Sequence, residues 1–177
     1  HFVSLDTNIS FTTGVLDWLA ADLDSTSRRW KIVFFHHTVY SCGSAHGSST
    51  YLINLLGPLF EAHGVDLALY GHDHDYERSF PMRSRQVVDA GMEPHYVDPS
   101  GPIYVVSGAA AKPRSVSTSC AHTAFITSTP CVARVEVTGD LLTLEAVGTS
   151  GQVLDRMTLR KTGVTPPPPP PPATLSL

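Results

Sequence analysis

The sequence lacks the features that define several large classes of protein. No run in its 177 residues approaches the roughly 18 consecutive apolar residues that a membrane-spanning helix requires, so a membrane bundle is excluded. Charged residues make up only 16%, and the formal net charge is −4, which excludes a basic nucleic-acid surface as the main binding device. The composition also excludes collagen and coiled coils. The 42% of hydrophobic residues instead indicates one folded core.

Cysteine is scarce as well, and the three cysteines carry limited information about the compartment. Cys120 and Cys131 bracket ten residues, so a disulfide between them would close a small loop and leave Cys42 over. Asn8-Ile9-Ser10 is an N-glycosylation sequon. Because the first residue is His1, we expect the chain to begin within a longer protein. Together these features favour a secreted or extracellular glycoprotein.

The first seventy residues alternate between strand-like and helix-like patterns. Apolar stretches of strand length cover residues 1–6, 30–35 and 65–70, and apolar residues at helical spacing lie within 15–23 and 52–60. Pro58 lies inside the second helical pattern and predicts a kink or a boundary there. The order strand, helix, strand, helix, strand predicts an α/β fold.

The rest of the chain has a different character. Residues 102–107 predict another apolar strand, and residues 132–137, 141–146 and 152–159 predict antiparallel strands joined by turns. Residues 109–130 are small and polar and predict a long surface loop. We expect the folded part to end at residue 162. Residues 163–177, with seven successive prolines, predict an extended polyproline linker or tail.

Histidines follow two of the predicted strands at the point where each strand ends. His36-His37 comes after residues 30–35, and His72 and His74 come after residues 65–70 and Gly71. Ligands of open α/β sheets gather beyond the carboxyl ends of the strands, and imidazole is a common ligand of zinc, iron and manganese. We therefore expect His36, His72 and His74 to converge on metal. The alternative interpretation makes them a capped core histidine and two solvated turn histidines.

Two segments that carry these histidines resemble a known family. Residues 34–41 (Phe-Phe-His-His-Thr-Val-Tyr-Ser) and 63–78, which end in Gly-His-Asp-His-Asp-Tyr-Glu-Arg, are similar to the C-terminal half of the purple acid phosphatases, a branch of the calcineurin-like metallophosphoesterases. Weaker similarity covers most of residues 1–160. The resemblance implies that residues 1–162 form the C-terminal part of a four-layer αββα sandwich with two mixed β-sheets.

The resemblance also implies roles for five histidines. His36 and His72 would bind one metal ion and His74 a second, the pair being iron with zinc, manganese or another iron. His46 lies where plant members carry a histidine that contacts phosphate or protonates the leaving group. His37 occupies a position where members vary, which argues against a direct role, and it is the second catalytic candidate after His46.

The same resemblance marks what the chain does not contain. The family's other ligands belong to three upstream motifs, and none of them occurs in this sequence. We therefore expect the upstream half of the same domain to be required, and the segment alone to be inactive. In the intact protein, a hydroxide activated by two metal ions would hydrolyse a small phosphate monoester.

Other functions remain open at the level of sequence. A phosphodiesterase or nucleotidase would use the same metal scaffold, and a phosphatase-like module without activity would serve in binding. Ser41 and Cys42 lie near His46, but neither an orienting group nor a nucleophile elbow accompanies them, which disfavours a serine or thiol hydrolase. A further domain could follow the polyproline segment.

Overall fold

A computed structural model describes residues 1–9, 11–91, 93–116 and 120–163 of the chain. The predicted polyproline tail lies outside the described residues, apart from Gly163 at its start. Within the described part, neither helix has the length and apolar character that crossing a bilayer demands.

The amino-terminal part folds as the alternation of patterns predicts. Its elements, in order, are β1 (Phe2–Ser4), α1 (Thr13–Ser25), β2 (Ile32–Phe34), α2 (Thr50–Ala62) and β3 (Leu67–Tyr70). Strands β1, β2 and β3 are neighbours and run parallel. The predicted α/β start of the chain is therefore confirmed.

Further strands of the described residues complete two larger sheets and a small hairpin. They are β4 (Tyr76–Ser79), β5 (Met82–Arg83), β6 (Gln86–Val87), β7 (His95–Val97), β8 (Ile103–Ser107), β9 (Thr123–Thr127), β10 (Cys131–Thr138), β11 (Leu141–Gly148) and β12 (Val153–Arg160). The first sheet has the order β1-β2-β3-β8-β4-β9, the second has the order β10-β11-β12-β7, and β5 pairs with β6. Both larger sheets are mixed, because β4 and β9 are antiparallel in the first sheet and β7 is parallel to β12 in the second.

Helix α2 shows how side-chain packing overrides the tendency of a proline to end a helix. Ser49 caps its start by accepting a hydrogen bond from the Leu52 amide at 3.3 Å. Pro58 does not end the helix, so the prediction of a helix boundary at this residue is wrong. The helix continues to Ala62 because Leu56 and Phe60, on either side of the proline, are fully buried against the sheet. That burial offsets the one hydrogen bond that proline cannot donate.

Side chains of the first sheet alternate between two cores. Val33, Ala68 and Tyr104 point toward the helices and pack with Leu19, Leu23, Leu56 and Phe60. Their neighbours Ile32, Leu67 and Ile103 point the other way and pack with Leu142, Leu144, Met157 and Leu159 of the second sheet. Strands covered on both faces read as continuous apolar runs, as here. The described residues therefore form three layers: helices, first sheet and second sheet.

The sequence predicts a loop over residues 109–130, but these residues are not a loop throughout. They contain β9, which pairs with β4 at the edge of the first sheet. All five residues of β9 are only half-buried, and three of them are Thr123, Ala124 and Thr127. A short edge strand of this kind has no strong apolar alternation, so its sequence resembles that of a loop.

Candidate functional site

Two parallel strands bring His36 and His72 together. The register pairs Phe34 of β2 with Leu69 of β3, and each histidine follows the carboxyl end of its strand by two residues. His36 Nε2 lies 3.2 Å from His72 Nδ1, and the ring centroids are 5.0 Å apart. The structure therefore places these two predicted ligands at one edge of the sheet.

His72 has an unusual backbone conformation. Its φ is +69°, so the left-handed residue of this turn is the histidine itself and not the preceding Gly71. A non-glycine residue in this region costs about 1 kcal/mol or more and tends to mark functional sites. The pKa of His72 is lowered by burial first, and then by the nearby His46 and other imidazoles. A lowered pKa favours the neutral ring, which is the form that binds metal.

Two more histidines surround His72. The ring of His46 stacks on that of His72, with centroids 3.7 Å apart and planes 25° from parallel. The ring of His37 lies 4.7 Å from that of His72. Thr7 holds His37 in place, because its Oγ1 accepts from the His37 amide and lies 2.8 Å from His37 Nδ1. Both catalytic candidates thus lie beside the His36–His72 pair.

His74 is positioned by a different segment of the chain. Its Nδ1 lies 3.0 Å from the carbonyl oxygen of Lys112. A carbonyl can only accept, so Nδ1 carries the hydrogen, and in the neutral ring the lone pair is then on Nε2. Histidines that bind metal are commonly oriented in this way.

These donors fit the metal ions that the sequence implies, but only in part. Two nitrogens on one tetrahedral cation, each about 2.05 Å from it, would lie about 3.3 Å apart, which is close to the His36–His72 distance. Among the described residues, however, no group of three or more His, Cys, Asp or Glu side chains is arranged to hold a metal ion. The described residues therefore do not by themselves complete a metal site.

A row of buried acids lies beneath these histidines, and the sequence reasoning missed it. Asp73, Asp75 and Glu77 are each no more than 2% exposed. Within the part of the chain that the structure describes, Oδ1 of Asp75 is buried without a hydrogen-bond partner. Burial, with Glu77 and Asp73 nearby, raises the pKa of Asp75 to about 7. The available signal was the spacing of two, which is typical of side chains that share one face of a strand, although only Glu77 lies within β4.

A disulfide joins Cys42 to Cys120, with Cα atoms 5.7 Å apart. The pairing of Cys120 with Cys131, which the sequence left open, therefore does not form. Strand β9 lies between those two residues, and Cys131 begins β10 with its thiol buried in the core between the sheets. Cys42 is instead brought to the neighbourhood of β4, where its amide donates to Glu77 Oε2 at 2.6 Å.

Tyr76 and Arg78 link the site to the second sheet. The Tyr76 hydroxyl donates to Asp155 Oδ2 at 2.9 Å, and Arg78 binds both oxygens of Asp155, at 2.7 and 2.9 Å. All three side chains are buried. These contacts give Tyr76 and Arg78 a structural role, with Asp155 as their shared partner.

A groove of about 430 Å³ opens beside the histidines. Its apolar wall comes from the loop before α1 and from the start of α2, and its polar end is formed by the imidazoles. The lining residues include Ile9, Phe11, Tyr51 and Leu52 on the first side and His37, His46 and His72 on the second. A small organic group attached to an anion would fit such a mixed surface.

Comparison with known proteins points to one family. Residues 2–76 match the family model of the calcineurin-like phosphoesterases. The chain is 27% identical over 195 residues to acid phosphatase type 7 of Danio rerio, covering 91% of this chain and 43% of that protein. Purple acid phosphatase 4 of Arabidopsis thaliana is 43% identical over 65 residues, covering 37% of this chain and 19% of that protein.

The fold is shared with a solved purple acid phosphatase from yellow lupin seeds. The TM-score is 0.81 at 23% identity, covering 90% of this chain and 31% of the lupin chain. This chain therefore spans less than half the length of the relatives it matches. The matched segment and the acid phosphatase relatives make the chain similar to the purple acid phosphatases and the calcineurin-like phosphoesterases, and the lupin structure shares its fold.

Proposed function

We propose that the full-length protein hydrolyses phosphate monoesters at a centre of two metal ions. The observation that carries the proposal is the 3.2 Å approach of His36 Nε2 to His72 Nδ1 at the carboxyl ends of β2 and β3. The similarity to proteins named acid phosphatases supports the same class of reaction. Bound cations would polarise the phosphoryl oxygens and lower the pKa of a water molecule.

The described residues divide the work around that chemistry. His36 and His72 would hold one cation, and His74, oriented by the Lys112 carbonyl, would hold the other with ligands from elsewhere in the full-length protein. His46 would donate a proton to the leaving oxygen as the phosphorus–oxygen bond breaks. His37, fixed by Thr7, would border the phosphate. Water replaces the alcohol on phosphorus, so the products are the alcohol and phosphate.

The decisive experiment combines metal content with turnover of p-nitrophenyl phosphate by the full-length protein. His72→Ala should lower bound metal and reduce kcat/KM by at least about 100-fold, because a ligand nitrogen is lost. His95→Ala is the matched control, since His95 is an exposed imidazole on β7 that contacts Thr158. Equal metal content and turnover in His72→Ala and His95→Ala would overturn the proposal.

The same assay separates the alternatives. Preference for bis(p-nitrophenyl) phosphate over the monoester would favour a phosphodiesterase on the same scaffold. Full metal occupancy with no turnover of either ester would favour a binding module without activity.

We also propose that the protein is exported. The Cys42–Cys120 disulfide supports this location, because such bonds persist mainly in oxidising compartments. Asn8 of the sequon is exposed, as a glycan would require. Expression in a eukaryotic secretory host should yield protein in the culture medium. The electrophoretic mobility of this protein should change on glycosidase treatment. The mobility of Asn8→Gln should not change, and a reduced, unglycosylated wild-type protein would contradict export.

A further inference from the structure

Asp73 lies between two predicted metal ligands, yet its carboxylate is bound to another loop. The side chain is 1% exposed. Its Oδ2 accepts from the Ser41 hydroxyl at 2.6 Å and from the Gly47 amide at 2.9 Å, and its Oδ1 accepts from the His46 amide at 2.9 Å. One carboxylate therefore ties both ends of the segment 41–47 to the turn that carries His72.

Gly43 shows independently how closely this loop packs on Asp73. A Cβ atom added to Gly43 would lie 2.6 Å from Asp73 Cγ and 2.6 Å from Asp75 Oδ2. Real side chains do not approach so closely. The loop backbone therefore lies directly against the carboxylates, and glycine is required for this approach.

These contacts fix His46 with respect to His72 at two points. The backbone of His46 is bound to the residue that follows His72, and its ring stacks on the His72 ring at 3.7 Å. We propose that Asp73 is the positioning residue that holds His46 at the reacting phosphate ester. The inference rests on the proposed function, in which His46 protonates the leaving group.

The chemistry of the partners explains why a carboxylate is needed. The three described groups that bond to Asp73 are all donors: one hydroxyl and two backbone amides. An ionised carboxylate only accepts, so it satisfies all three. An asparagine of the same size would present an NH₂ group to at least one donor and break the arrangement.

The test uses Asp73→Asn in the full-length metal-loaded protein, with Asp66→Asn as the matched control. Asp66 is also a largely buried carboxylate that accepts from a backbone amide, that of Lys31 at 2.9 Å, but it lies at the opposite end of β3 from His72. A change in kcat that both variants share reflects a loss of stability. A change in kcat that only Asp73→Asn shows reflects the position of the segment 41–47, which carries His46.

Two esters separate positioning from general damage. Ethyl phosphate has a poor leaving group that needs a proton, and p-nitrophenyl phosphate has a good one that departs without help. Asp73→Asn should lower kcat on ethyl phosphate about 10- to 100-fold, and on p-nitrophenyl phosphate by much less. Adding Asp73→Asn to His46→Ala should change kcat on ethyl phosphate less than about twofold. Equal losses on the two esters, or losses that multiply in the double variant, would overturn the proposal.

A measurement that does not depend on turnover distinguishes a failure of the positioning role of Asp73 from a failure of the proposed function. Amide hydrogen exchange over residues 41–50 should be faster in Asp73→Asn than in wild type and unchanged in Asp66→Asn, because the His46 and Gly47 amides lose their acceptor. Unchanged exchange in Asp73→Asn would refute the positioning role even in an active enzyme. Faster exchange in Asp73→Asn, together with a wild-type protein that hydrolyses neither ester, would reject the proposed function and leave the loop contact established.

Discussion

Single residues around the histidines matter most where the backbone passes close to another segment. Gly108 follows β8 and donates its amide to the Asp75 carbonyl at 2.9 Å. A Cβ atom at Gly108 would lie 1.8 Å from the Asp73 carbonyl oxygen and 3.4 Å from His74 Cα. The turn that carries two predicted metal ligands therefore rests directly on a glycine.

Replacing Gly108 by alanine should destabilise the full-length protein and disturb the site. We expect Gly108→Ala to lower the free energy of unfolding by about 2–3 kcal/mol, because the turn must move away from the added methyl group. Bound metal should decrease as well. Denaturant unfolding and metal analysis measure the two effects.

Gly14→Ala provides the contrast for that substitution. Gly14 lies in the first turn of α1, and a methyl group added there would meet Thr12 Oγ1 at 3.9 Å, an ordinary contact distance. Alanine at this position should leave metal content unchanged and raise stability by about 0.5 kcal/mol. Similar losses of stability in Gly108→Ala and Gly14→Ala would contradict the steric argument.

The histidines of the site were easier to predict from the sequence than the residues that support them. His36 and His72 could be selected because they follow apolar runs of strand length. Asp73 could not, since an acid beside two histidines reads equally well as a ligand, a solvated turn residue or a buried anchor. The three donors it binds lie 26 to 32 residues away, and only the folded loop brings them together.

Among the elements, the antiparallel strands of the second sheet show ionic pairing across neighbouring strands. Arg134 of β10, Glu145 of β11 and Arg156 of β12 lie opposite one another in register. Glu145 accepts from Arg134 Nε at 3.1 Å and from Arg156 Nε at 2.7 Å. These hydrogen bonds lower the pKa of Glu145 below its ordinary value of 4.5.

This lowered pKa predicts how Glu145 affects stability as pH changes. The folded protein binds the Glu145 proton less tightly than the unfolded chain does, so the stabilising contribution is fully present above about pH 4.5 and fades as pH falls through the folded pKa. Wild type should therefore melt at a higher temperature than Glu145→Gln at about pH 7, and the difference should shrink toward about pH 3. A difference that stayed constant over this range would contradict the ionic role.

Strands could be predicted from the sequence where apolar residues form runs or alternate regularly, and less well where they do not. Strands β2, β3 and β10–β12 follow from apolar runs or alternation, whereas β9 has small polar residues at a sheet edge and was expected to be loop. The disulfide illustrates the same limit. Cys42 and Cys120 are 78 residues apart, and no local pattern indicates that they meet.

At the scale of the whole molecule, a buried ionic group joins the two large sheets. Arg78 of β4 and Asp155 of β12 are both less than a tenth exposed, and Tyr76 adds a third polar group to the cluster. Removing one partner of a buried ion pair leaves the other charge without compensation, which is far more costly than losing an exposed pair.

Asp155→Ala should therefore destabilise the protein by about 3–5 kcal/mol, measured by denaturant unfolding. Asp140→Ala is the control, because Asp140 pairs with Arg29 while 57% of its side chain is exposed, and its loss should cost about 1 kcal/mol or less. Equal effects of Asp155→Ala and Asp140→Ala would show that the sheets do not depend on this contact.

The Asp155 contact also has a genetic consequence. Asp155 lies 77 to 79 residues after the arginine and tyrosine that it binds, and only a few residues before the end of β12. A transcript that stopped short of β12 would still encode every histidine discussed above. Its product would nevertheless lack the counter-charge of Arg78 and a strand of the second sheet, so stop codons shortly before β12 should behave as null alleles.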